Sequence, residues 1–346
     1  MSDVPVLSVG ADPSNDRDAV ERAASILRAG GLVAVPTETV YGLAARADDG
    51  AAVARIYSAK GRPAHNPLIV HVASLDEARA LATEWPGSAQ ALAEALWPGP
   101  LTLVVRRRGD SLAAVSAGRD TIAVRVPDHP VLLEVLRGTG LPLAAPSANR
   151  SNHISPTRAE HVLTSLEGKI DLVLDGGPCS VGIESSVVDV TGPTPRLLRP
   201  GGTPVDELRR IAPDLTLAAS VDVSRDRGNL SPGLGRRHYS PTAPMRLVAL
   251  RELAIEADRL SGAIGLLTLQ PLTSPPSRIA WSRALGTSPE GYAAQLYDAL
   301  HDADASGLDH ILVELPPTDS SWSAIHDRLE RAATSDEDRT RDAGGA

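Results

Sequence analysis

The chain has 346 residues, so at about 150 residues per domain it is expected to hold two domains. Its 42% apolar content and net charge of −9 are those of an ordinary globular protein and exclude a disordered one. The single cysteine, Cys179, excludes an intramolecular disulfide and any multi-cysteine zinc or iron–sulfur centre.

Short apolar runs alternate with Ala- and Leu-rich stretches of helical spacing. In chain order the pattern predicts a helix at DAVERAASILRAG (18–30), a strand at GLVAV (31–35), a helix at DGAAVARIYSAKG (49–61) and a strand at PLIVHV (67–72). Helices at 74–85 and 88–97 precede strands at LTLVV (101–105) and TIAVRVP (121–127). A helix at 129–140, a strand at LPLAA (141–145) and a helix at 157–168 follow, then strands at DLVLD (171–175), SSVVDV (185–190) and RLLRPGG (196–202). Continuous apolar runs suit strands buried on both faces, and Gly30, Gly61 and Gly140 fit helix C-terminal caps. This part is expected to be α/β or α+β with a large mixed sheet.

Residues 224–244, rich in Gly, Pro, Ser and Arg, have a linker composition. Beyond them come strand MRLVAL (245–250), helix 251–262, strand AIGLLTL (263–269), helix 290–307, strand HILVELP (310–316) and helix 323–333, which predict a small three-layer α/β domain. The boundaries are set at 1–212, a linker or lid at 213–244, a second domain at 245–335 and a disordered tail at 336–346. Charge follows this division: residues 1–244 carry 25 basic and 27 acidic side chains, residues 245–346 carry 9 and 16. No apolar run approaches the about 18 residues of a membrane span, and the N-terminus lacks a signal pattern, so a cytoplasmic protein is expected.

In α/β sheets ligands gather where strands end. Here the endings are PTETVYG (36–42), AKGRPAHNP (59–67), AVRVP (123–127), PSANRSNHISPT (146–157), IESSVVD (183–189) and RLLRPGG. They collect hydroxyls, Asn, His, Arg and one of only two lysines, a set suited to an anionic, hydroxyl-bearing small molecule. Singly, each has a plainer reading. Thr37 and Thr39 suit a strand end, and Lys60 and Arg62 suit the negative end of a helix dipole. Ser147 and Asn149 suit a turn or cap, and His71 suits a satisfied core. Arg125 is different, because an arginine inside an apolar strand needs an anionic partner. The coincidence of all six endings carries the functional reading. No G-x-S-x-G elbow or H-x-x-x-H zinc pattern is present. Cys179, in a Gly-rich turn, reads as a small filler, and four Trp with five Tyr are too few for a single-strand track.

At these motifs the sequence resembles the YrdC-type threonylcarbamoyl-AMP synthases in their long, two-domain form. PTETVYGLAA, AKGRPAHNPLIVHV, WPGPLTLVV, TIAVRVPDHP, PSANRSNHISPT, DGGPCSVGIESSVVDV and RLLRPGG carry the resemblance over about residues 15–205. SPGLGRRHYSP and the C-terminal segments extend it to nearly the whole chain. It implies an α+β-like twisted mixed sheet with a second, Rossmann-like domain. The implied activity is a nucleotidyltransferase that joins L-threonine, bicarbonate or CO2 and ATP into threonylcarbamoyl-AMP, releasing pyrophosphate. The product serves modification of position 37 in tRNAs reading ANN codons, with transient handover to a transferase complex.

By the same resemblance, Lys60 and Arg62 are the catalytic cations. They hold ATP with Asn66, Thr121, Ser147, Asn149, Ser155, Arg199 and the linker Tyr239. Thr39, His71, Arg125, Ala145 and Ser185 hold L-threonine, and Mg2+ accompanies ATP on substrate oxygens and water. Ser186 replaces a usual Thr, Asn152 a usual Gly, and Leu234 and Gly235 the usual Met and Lys of the linker. The competing reading is a double-stranded RNA- or tRNA-binding module, against which the net acidity and scarce aromatics argue. Direct tRNA binding stays open.

Overall fold

The computed structural model describes residues 4–218 and 239–333. Most of the expected lid, with Leu234 and Gly235, and the expected tail lie outside the described residues. Contacts divide the chain into two units, and Asn152–Ile154 group with the second.

In the first unit every run read as a strand is one. β1 (Val6–Ser8), β2 (Val33–Val35), β3 (Gly42–Arg46), β4 (Ile69–His71), β5 (Leu101–Arg106), β6 (Thr121–Arg125), β7 (Leu143–Ala144), β8 (Leu172–Asp175), β9 (Ser186–Asp189), β10 (Arg196–Arg199) and β11 (Thr216–Leu217) form one sheet. Its order is β1-β8-β2-β3-β7-β4-β6-β5-β9-β10-β11. The sheet is mixed: β4 runs parallel to β6, while β7 against β4 and β5 against β6 are antiparallel. β1, β3 and β11 were not expected. β3 was read only as part of the PTETVYG motif, because its Gly-Leu-Ala-Ala-Arg has little strand propensity. It owes its pairing to β2 and β7 on either side.

The helices are α1 (Arg17–Arg28), α2 (Gly50–Lys60), α3 (Leu75–Ala80), α4 (Gly87–Leu96), α5 (Pro130–Thr139), α6 (Ala159–Leu166) and the unexpected α7 (Val205–Ile211). α1 buries Val20, Ala23, Ala24 and Leu27, the spacing of one helix face. Asp49 caps the start of α2 by accepting from the Ala51 and Ala52 N–H groups, and left-handed Gly61 ends it.

Side-chain alternation explains the continuous apolar runs. On β2, Ala34 enters the main core while Val33 and Val35 enter a second core with α1 and α5. On β4, β5, β6 and β9, Val70, Leu103, Val124 and Val188 face the main core, which also takes residues of α2, α4, α6 and α7. Their neighbours Ile69, Val104, Ala123 and Val187 form with Leu198 a small cluster whose buried members all lie on strands. That thinly apolar face carries the polar residues described below.

The second unit holds a four-stranded parallel sheet: β12 (Met245–Val248), β13 (Ile264–Thr268), β14 (Ile279–Ala284) and β15 (His310–Glu314), in the order β12-β15-β13-β14. β14 was not expected, because IAWSRA follows a Pro- and Ser-rich stretch and alternates with polar residues, as an edge strand does. Helix Leu253–Arg259 packs through Leu253 and Ala257 on Val248, Ile264, Leu266 and Leu312. Helix Pro289–Ala305 and helix Ser323–Ala332 complete the unit.

Candidate functional site

Strand parity puts His71 with Ile69, Arg125 and Thr121 with Ala123, and Thr102 with Val104 on one face of the first sheet. His71 and Arg125 are register partners across β4 and β6, and both are buried. Arg125 is held from three sides. Its Nε donates to the Gly99 carbonyl at 3.1 Å and its Nη1 to Thr39 Oγ1 at 3.0 Å. Its Nη2 lies 2.5 Å from Glu38 Oε1, an ion pair between side chains 4% and 6% exposed. Glu38 Oε1 also accepts from the Asp128 N–H at 3.0 Å. The anion that Arg125 requires is thus a protein carboxylate, which sequence reasoning missed. The available signal was an acidic residue between two threonines just after an apolar strand.

Local hydrogen bonds set the PTET turn. Thr37 Oγ1 accepts from the Thr39 and Val40 N–H groups, each at 3.1 Å, and donates to the Val40 carbonyl at 2.7 Å. It also lies 2.8 Å from Thr39 Oγ1, linking the turn to Arg125. Burial, and secondarily Arg125, pushes the His71 imidazole down to about 3, so this histidine is neutral at ordinary pH. Burial also lowers His129, against the opposing pull of Glu38, and raises the Cys179 thiol. Cys179 is accordingly a buried, protonated side chain, in keeping with its reading as filler.

A second group gathers at the end of α2. Gly61 N–H donates to the Ser58 carbonyl and Arg62 N–H to Tyr57, closing the helix and turning the chain. Lys60 Nζ donates to the Ser147 carbonyl, to the Asn149 carbonyl at 2.5 Å, and to Asn149 Oδ1 at 3.4 Å. All three ammonium protons therefore brace the PSAN turn. Burial first, then Arg62, lowers the Lys60 pKa well below its ordinary value, with Glu184 opposing. Arg62 donates to the Pro67 carbonyl at 3.2 Å and more loosely to Asn66 O at 3.5 Å, and Tyr57 Oη donates to Asn66 O at 2.8 Å.

The IESS segment forms the third group. Ser155 Oγ donates to Glu184 Oε1 at 2.6 Å, and Ser185 Oγ lies 2.8 Å from Thr102 Oγ1. Arg199 donates to the Ser185 carbonyl at 2.8 Å and to its hydroxyl at 3.3 Å. A register shift between Leu197 and Arg199 accompanies this turn of the arginine. Glu184, absent from the sequence reading, links the groups through Ser155 and the charge of Lys60. Ala145 is buried and donates its N–H to the Ile69 carbonyl. Thr121 opens β6 half-buried on the Arg125 face. Ser186 turns its hydroxyl to the Thr203 carbonyl at 2.7 Å.

Tyr239 belongs to the second unit. It is buried there, with its ring 5.6 Å from that of Tyr297 and the Arg328 guanidinium 5.2 Å from its centroid. Asn152 adopts φ +69°, the left-handed conformation its side chain tolerates. Among the described residues no three His, Cys, Asp or Glu side chains form a metal-binding group, and no helix is long and apolar enough to cross a membrane.

Residues 25–201 match the Sua5–YciO–YrdC family, described as telomere recombination. Residues 204–334 match the family described as threonylcarbamoyl-AMP synthase, C-terminal domain. The chain is 39% identical to the threonylcarbamoyl-AMP synthase of Bacillus subtilis over 91% of its own length and 92% of the relative's. It is 37% identical to that of Schizosaccharomyces pombe, over 94% and 91%. The crystal structure of Pyrococcus abyssi Sua5 complexed with L-threonine superposes with a TM-score of 0.87 at 37% identity, covering 95% of this chain and 97% of that one.

Proposed function

We infer, starting from a chain that belongs to the two-domain Sua5 family of threonylcarbamoyl-AMP synthases, that it makes threonylcarbamoyl-AMP from L-threonine, bicarbonate or CO2, and ATP. The observation that carries the reading is the near-complete match to Sua5 with L-threonine, together with a buried Arg125 framed by Thr39, His71 and Glu38. The double-stranded RNA-binding alternative gives way to this reading.

The threonine amine takes up CO2 as a carbamate, a carbamate oxygen attacks the α-phosphorus of ATP, and pyrophosphate leaves. Two anions must meet, so fixed cations and dipoles offset their repulsion. Arg125 takes the threonine carboxylate as a guanidinium fork, with Thr39, neutral His71, Ala145 and Ser185 around it. Arg62, with Asn66, Thr121, Ser155 and Arg199, faces the nucleotide. Lys60 acts largely through Ser147 and Asn149, whose carbonyls it anchors. Tyr239, from the linker, completes the nucleotide-binding set. Among the described residues no cluster of His, Cys, Asp or Glu would hold magnesium, so the ion would come with ATP and would offset the triphosphate charge.

Rate enhancement comes from positioning, charge stabilisation and exclusion of water from two labile species. Packing against one methyl separates threonine from serine by only about 1–3 kcal/mol, so selectivity over valine rests on a hydrogen bond to the hydroxyl. The product passes in the cytoplasm to a separate transferase that modifies tRNA. Measuring ATP-dependent pyrophosphate release with and without threonine and bicarbonate tests the reading. Release that depends on both is the expected result, and release indifferent to threonine overturns it.

A further inference from the structure

We propose that Glu38 holds the α-ammonium group of the amino acid substrate, with Oε2 as the acceptor; this deepens the synthase reading and rests on it. Glu38 is 5% exposed. One of its oxygens is fully engaged: Oε1 takes the Asp128 N–H and faces Arg125. The other, Oε2, is buried and has no hydrogen-bond partner in the protein. A buried, unsatisfied carboxylate oxygen is costly and calls for a donor from elsewhere.

His71 Nδ1 is likewise buried without a hydrogen-bond partner, whereas Arg125 Nη2 is engaged by Glu38 Oε1 as an ion pair. An unanswered acceptor therefore sits on the carboxylate that pairs with Arg125. A zwitterion suits this pair of opposite charges. Its carboxylate accepts from the Arg125 guanidinium and its ammonium donates to Glu38 Oε2.

The neighbouring groups agree. His71, from β4, is neutral, so it does not repel an ammonium. Cys179, beyond β8, is protonated, and His129, beyond β6, is held towards its neutral form by burial. Glu38 is the negative member of this set. The arrangement also orients the substrate, since two ionic anchors on one α-carbon fix the nitrogen, which gives up a proton to Glu38 or to water before it takes up CO2.

The test compares two ligands by calorimetry on the full chain: L-threonine and 2,3-dihydroxybutanoate, which replaces the ammonium by a hydroxyl. Glu38→Gln keeps the oxygen that accepts from Asp128 and removes the charge. It is expected to weaken threonine by about tenfold or more and the hydroxy acid by less than about twofold, a coupling specific to the ammonium. Equal losses for both ligands, or no loss for threonine, overturn the proposal. Should the variant fail to fold, the wild-type protein decides: a preference of about tenfold or more for threonine supports the proposal, and equal affinities overturn it. A wild-type protein that binds neither ligand overturns the synthase reading itself, a result distinct from the others.

Discussion

Arg125 shows how one residue is read at two levels. Its place inside an apolar strand calls for an anion, and the fold supplies Glu38, whose Oε1 lies 2.5 Å from Nη2. Arg125→Ala is expected to lower turnover by more than about tenfold at fixed threonine, chiefly by raising the KM for threonine rather than for ATP. Steady-state kinetics in each substrate separates the two.

Lys60 differs in kind, because its protons are committed to the PSAN carbonyls. Lys60→Ala leaves those carbonyls unanswered, at about 1–3 kcal/mol in stability, and turnover is expected to fall by more than about tenfold. Thermal unfolding and pyrophosphate release read the two effects.

His71 adds a pH dependence. Its native pKa of about 3 lies below the unfolded value of 6.5, so between these limits the unfolded chain binds the extra proton. Stability attributable to His71 is complete above 6.5 and falls as pH drops towards 3. His71→Asn is expected to flatten this limb in denaturant titrations between pH 6.5 and 4, an unchanged slope counting against it.

At the scale of elements, the site is a consequence of alternation on four strands. β4, β5, β6 and β9 put one residue of each pair into the helix-covered core, and the other onto a face whose cluster holds only five buried apolar residues. Polar side chains on that face need no helix above them. The turn after β10 closes on the same face: a Cβ on Gly201 would stand 2.3 Å from the Ser185 carbonyl carbon and 2.4 Å from Glu184 O. Gly201→Ala must therefore displace the IESS backbone, and with it Ser185 and the Arg199 carbonyl contact. Loss of threonine binding beyond about tenfold is the expected outcome, with far-UV circular dichroism retained.

The strands at Val33–Val35, Ile69–His71 and Thr121–Arg125 were legible because a run buried on both faces leaves a local signature. β3 and β14 were not, since Ala-rich and alternating segments become strands only through their neighbours.

For the whole molecule, the two units differ in architecture as well as charge: a mixed eleven-stranded sheet, and a parallel four-stranded one. The linker reading of Tyr239 acquires a structural side, because its buried ring packs on Tyr297 beneath Arg328. Tyr239→Ala is expected to destabilise the second unit by about 3–5 kcal/mol, as for other large aromatic truncations, visible as a shift in one unfolding transition. A chain ended after residue 215 tests the lid: activity is expected to fall by more than about tenfold, and undiminished activity makes the linker a tether.

Sequence alone settled what is local. Periodicity placed most strands and helices, Gly61 ended a helix, and the ordered motifs named the family, because backbone preference and burial pattern are written within a few residues. Tertiary structure alone decided the partners. Arg125 meets Glu38 and Thr39 from a turn more than eighty residues earlier, and Lys60 spends its protons on Ser147 and Asn149, as distant in the other direction. Which charge is satisfied, and which buried oxygen is left without a protein donor, depends on segments that meet only when the sheet assembles, so no local pattern contains it.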